Sequence, residues 1–120
     1  EVDHAAVAAP DPEPGRTVEF GAYLARLCAG CHGEHLSGGA IPGAPPEMGT
    51  PLNLTPHETG LAGWTEEQLR TVLREGRTPS GHQIDAAQMP YPTMSRMTDA
   101  EIGALWLYLQ TITPLEEGSR

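Results

Sequence analysis

Lysine is missing from this chain of 120 residues, so its seven basic side chains are all arginines, and they face sixteen carboxylates for a net charge of −9. That balance repels phosphate backbones and anionic headgroups, which argues against nucleic acid and against an anionic membrane surface as partners. A protein partner with a basic docking surface fits the charge, although acidity also serves solubility alone. Long apolar runs are missing too. No stretch approaches the roughly 20 residues that a membrane span requires. The opening Glu1-Val2-Asp3 has neither a basic n-region nor an initiator Met. The chain reads as a mature or trimmed soluble form, with any targeting signal or membrane anchor out of view. Cysteine is limited to two residues. Internal repeats are lacking, and so is the alternation that marks strands.

Glycine and proline, by contrast, are abundant, at 14 and 12 residues. A chain of this length forms one compact domain with a modest core, and so many loop residues need something besides that core to hold their shape. Residues 1–16 are rich in Ala, Pro and acid and read as an extended tail or tether. A domain is expected over 17–115, with a short tail at 116–120. Thr17 is the N-cap of a first helix whose apolar face carries Phe20, Gly21, Tyr23, Leu24 and Leu27 and leads into Cys28. From Gly33 to Gly63 periodicity is lost, in a loop long enough to wrap something. Thr65 and Gln68 form a capping box for a helix that turns Leu69, Val72 and Leu73 inward and stops at Gly76. Glu66 and Arg70 can pair on its wet face. After a second irregular stretch, Thr98 and Glu101 cap the last helix, Met97 staples against Ile102, and Pro114 blocks continuation.

Cys28-Ala29-Gly30-Cys31-His32 is the C-x-x-C-H pattern of c-type haem attachment. Two thiols about one helical turn apart can add to two vinyl groups on one porphyrin edge, and the adjacent imidazole then meets the iron. A disulfide or thioredoxin-like motif is the simplest alternative, but it expects a βαβ context that the sequence lacks. A zinc site would need Cys28, Cys31, His32 and His35, which are packed far more tightly than the separated ligand pairs of zinc modules. His35 is expected at the surface.

From Thr17 to Thr113 the chain resembles the class I cytochromes c. The shared parts are a first helix ending in C-x-x-C-H, a proline-rich loop, a short helix after Trp64, a Met-Pro loop and a final helix with aromatic residues. Asn53-Leu54-Thr55-Pro56, Gly63-Trp64-Thr65, Met89-Pro90-Tyr91 and Met97-Thr98-Asp99 are similar, more narrowly, to cytochrome c subunits of periplasmic dehydrogenases. The resemblance implies an all-α cytochrome c fold of three to four helices wrapped around one covalent haem c. It also implies a methionine as the second iron ligand beside His32. Met89, followed by Pro90, is the favoured choice; Met94 competes and is read as haem packing, Met97 is taken up as a staple, and Met48 lies too early. Ligation by His57 or His82 is the minor alternative. The Pro51 carbonyl is expected to accept the second ring N–H of His32. Trp64 is expected either to donate to a haem propionate or to pack with its N–H on backbone. Arg70, Arg74 and Arg77 are read as a solvated face rather than as propionate partners.

The function implied is one-electron transfer, not catalysis, alone or as a subunit of a dehydrogenase complex. Its partners would be a dehydrogenase, an oxidase or another cytochrome in the bacterial periplasm, with or without a membrane tether in the full-length form. The rival is a haem enzyme or a gas or peroxide sensor with an open sixth iron position.

Overall fold

The computed structural model describes residues 14–45, 47 and 49–119. Among these, five helices follow one another: α1 (Val18–Ala25), α2 (Ala29–His32), α3 (Glu66–Glu75), α4 (Tyr91–Met94) and α5 (Asp99–Thr111). The fold is all-α, and the one β-type contact described is an isolated bridge between Arg77 and Gln83. Two of the helices, α2 and α4, are single turns.

Each long helix starts where a side chain takes over an orphaned backbone donor. Thr17 Oγ1 accepts from the Phe20 N–H at 3.1 Å. Thr65 and Gln68, then Thr98 and Glu101, form reciprocal capping boxes. The first helix is shorter than its apolar pattern suggests. It ends at Ala25, and the chain turns through Arg26 and Leu27 before α2 begins. That break turns Leu27 off the face that buries Phe20, Gly21 and Ala25 and onto the exposed edge of a cavity, which it helps to line. Tyr23 also reaches the surface, stacked on Phe20 with ring centroids 6.0 Å apart.

The termini of the helical array cross at α1 and α5. A Cβ at Gly21 would collide with the Ala104 carbonyl oxygen and lie 2.7 Å from the Tyr108 Cβ, so the crossing is as close as it is because position 21 has no side chain. Helix α5 buries Ile102, Gly103, Ala104, Leu105 and Leu109. Helix α3 contributes Leu69, Val72 and Leu73 to the same core and ends at Gly76 in the left-handed region, φ +70°. The Tyr91 ring of α4 lies over Gly76, 2.6 Å from where a Cβ would stand.

Ion pairs tie the outer faces together. Glu66 accepts from both terminal guanidinium nitrogens of Arg16, at 2.8 and 2.7 Å, and pairs with Arg70 at 2.9 Å. Asp99, in the first turn of α5, pairs with Arg74 at 2.7 Å and Arg70 at 3.2 Å. Of the expected N-terminal tail, residues 1–13 lie outside the described residues, but Arg16 packs across Gly103 as well as on Glu66. At the other end Gly118 donates its N–H to the Ser37 carbonyl at 3.3 Å and lies 2.5 Å from where a Cβ at Gly39 would stand. Contacts thus continue past Thr17 and Leu115, because ionic and main-chain partners leave no mark in composition.

Candidate haem-binding site

The turn of α2 sets the site. Cys28 is its N-cap, and Cys31 and His32 fill its last two positions. The two cysteines are not joined by a disulfide; Cys28 is half-buried and Cys31 exposed. Burial, and secondarily the neighbouring Cys31, push the Cys28 thiol up to about 11, so it is protonated at neutral pH.

His32 is 7% exposed, and its Nδ1 lies 2.7 Å from the carbonyl oxygen of Leu52. A carbonyl only accepts, so Nδ1 carries the proton and the ring's lone pair belongs to Nε2, the tautomer needed for iron ligation. The acceptor is not the Pro51 carbonyl expected from the resemblance. Pro51 O instead accepts the Gly39 N–H at 3.1 Å. The reason lies in Gly38, at φ +68°. There the segment after α2 runs so close to residues 51–52 that an added Cβ would stand 2.6 Å from Leu52 O and collide with Pro51 O. Successive carbonyls of an extended segment point to opposite sides, so the register of this contact gives Leu52 to the imidazole and Pro51 to Gly39.

Cys28, Cys31 and His32 open onto a cavity of about 440 Å³, within the roughly 300–1,000 Å³ range of cofactor sites. Pro51, Leu52 and Leu54 wall it from the loop, Leu69, Val72 and Leu73 from α3, and Leu109 from α5. Trp64, Met89 and Met94 line it, and so does His82. His57 is not among the lining residues; its Nδ1 bonds to Thr59 Oγ1 at 2.9 Å. Met97 packs against the core cluster, and Met48 lies outside the described residues. Arg70, Arg74 and Arg77 all turn away into ion pairs. Ile84, Thr78 and Gln88 also reach the cavity and carried no signal in the sequence, since none belongs to a motif. A mostly aliphatic lining, two thiols on one turn, an oriented imidazole and soft thioether sulfurs form the donor set that suits a covalently held porphyrin iron.

An all-α fold closed around such a cavity defines a haem protein of the c type. The chain belongs to the cytochrome c family, whose model matches residues 19–113, and the cofactor of that family is covalently bound haem c. The chain is 34% identical to the fructose dehydrogenase cytochrome subunit of Gluconobacter japonicus, over 86% of its own length and 23% of that protein. It is 36% identical to the cytochrome c subunit of the quinone alcohol dehydrogenase of Gluconacetobacter polyoxogenes, over 76% and 21%. With the gluconate 2-dehydrogenase cytochrome c subunit of Pantoea cypripedii it shares 30% identity, over 96% and 28%. The chain thus spans well under a third of the length of these relatives. Each of these relatives is named as a cytochrome subunit of a dehydrogenase, which supports electron transfer as the role of this domain. No helix among the described residues is long and apolar enough to cross a membrane.

Proposed function

We propose that this chain is a one-electron carrier with a single haem c held by thioether bonds to Cys28 and Cys31 and ligated by His32 and Met89. When bound, the haem supplies the Fe(III)/Fe(II) couple. The observation that carries the proposal is His32, whose Nδ1–H is fixed on Leu52 O while its ring lines the same cavity as both cysteines and Met89. Leu52 orients the imidazole and raises its basicity as a ligand. Met89 contributes a soft sulfur that favours the reduced metal and so raises the potential. Leu54, Leu69 and Leu73 keep water away from the centre. Pro51 and Trp64 act as walls, with the Trp64 indole available to a propionate.

Electrons would enter and leave beside Cys31 and Leu27, the exposed part of the cavity rim. The donor would be a sugar, alcohol or related dehydrogenase working on the periplasmic side, and the acceptor a respiratory partner, docking through a basic surface that complements the chain's acidity. Haem-stained denaturing gels test the attachment. Wild-type protein matured in a competent periplasm is expected to keep its stain, and Cys28→Ser and Cys31→Ser to lose most of it. A wild-type band without haem would overturn the proposal.

A further inference from the structure

Asn53 is fully buried, at 0% exposure, as is Thr55. Its carboxamide is saturated. Nδ2 donates to Leu115 O at 2.7 Å and to Thr59 Oγ1 at 2.9 Å. Oδ1 accepts from the Thr55 N–H at 2.9 Å and from Thr55 Oγ1 at 2.8 Å. Thr55 Oγ1 in turn accepts from the Leu115 N–H at 3.1 Å. One buried amide therefore stitches the segment beyond α5 to the loop over residues 52–55. Asn53 and Thr55 lie inside the residues that the family model matches, and Leu115 two residues past them.

The join also sits one residue from the haem site. The carbonyl that accepts from His32 Nδ1 belongs to the Leu52–Asn53 peptide. On the far side of Asn53, the Leu54 N–H donates to Leu36 O at 2.8 Å. Fixing the Asn53 side chain therefore fixes the plane of the peptide on which the imidazole rests. We propose that Asn53 is a positioning residue for the proximal ligand, a latch that uses Leu115 as its anchor to hold Leu52 O on the His32 ring N–H. The proposal rests on His32 being the iron ligand. Releasing the latch would slacken the Nδ1–H bond, make the imidazole a weaker donor and favour Fe(II), because the electron supply that stabilises the ferric state falls.

The test uses wild-type holoprotein, Asn53→Ala and the milder Thr55→Val. In each, NMR follows hydrogen exchange of the His32 ring N–H, and a redox titration gives the midpoint potential. The expected result is exchange at least ten-fold faster and a positive shift of potential in Asn53→Ala, with the same signs and smaller size in Thr55→Val. If Asn53→Ala takes up no haem, Thr55→Val carries the comparison by itself. Variants that melt earlier but keep wild-type exchange and potential would show a merely structural amide and overturn the latch, leaving the haem site intact. A wild type whose His32 ring shows no iron-induced shift would overturn the haem reading and the latch together.

Discussion

Among single residues, the two methionines of the cavity give the sharpest test, because ligation and packing leave different traces. Met89→Ala is expected to abolish the long-wavelength ferric absorption band of a methionine–iron bond and to lower the midpoint potential. Met94→Ala is expected to keep the band and to lose about 2–5 kcal/mol of stability, as large-to-small changes in a packed interior do. Absorption spectra and denaturant titrations of the two variants decide the matter; a band that survives in the first and vanishes in the second would make Met94 the ligand. Cys28, Cys31 and His32 were legible in the sequence because attachment chemistry dictates their spacing. Leu52 was not, since a hydrogen-bonding carbonyl can belong to any residue, and a one-residue register on Gly38 decided between it and Pro51. Asn53 and Thr55 stood in a recognisable motif, but their partner Leu115 is remote in the chain and both accepts and donates through its backbone.

Between elements, two opposing effects meet at Gly21. Alanine there would gain about 1 kcal/mol of helix propensity, yet its methyl would meet the Ala104 carbonyl, which is backbone and cannot swing aside. Overpacking of this kind costs about 1–3 kcal/mol or more, so Gly21→Ala is expected to lower the guanidinium midpoint of the holoprotein despite its better propensity. The junction of Arg16 with α3 has a pH dependence of its own. The Arg16 hydrogen bond, helped by Arg70, holds the Glu66 carboxylate below its ordinary 4.5 against an opposing effect of burial. A carboxylate held low stabilises fully above its ordinary value, and the benefit is lost as pH falls through the folded value. The melting-temperature gap between wild type and Glu66→Gln is therefore expected to be widest near neutrality and to close in strong acid. The long helices were readable because their capping residues and apolar spacing repeat over several turns. Four residues are too few for a period, which is why α4 went unseen and why the break before α2, which turns Leu27 from the α1 face to the cavity edge, left no mark in the apolar spacing.

For the molecule as a whole, the cavity sets the terms. A chain that never received its haem would have to keep about 440 Å³ of largely apolar-lined space. Leaving that lining wet forgoes the burial that would hold so loop-rich a chain in shape, and an ordinary domain has only about 5–15 kcal/mol in total to lose. Doubly substituted Cys28→Ser/Cys31→Ser protein without haem is thus expected to show little helical circular dichroism and no cooperative melt; native helix content with a sharp transition would contradict this. The join between Asn53 and Leu115 also has a consequence in the order of events. Its partners stand 62 residues apart in the chain, whereas Cys28, Cys31 and His32 lie on one turn. The turn can therefore form from local contacts, and its support is fastened only when a long-range contact closes. Until then the imidazole has no fixed rest and the thiols stand in a more open chain than in the finished fold.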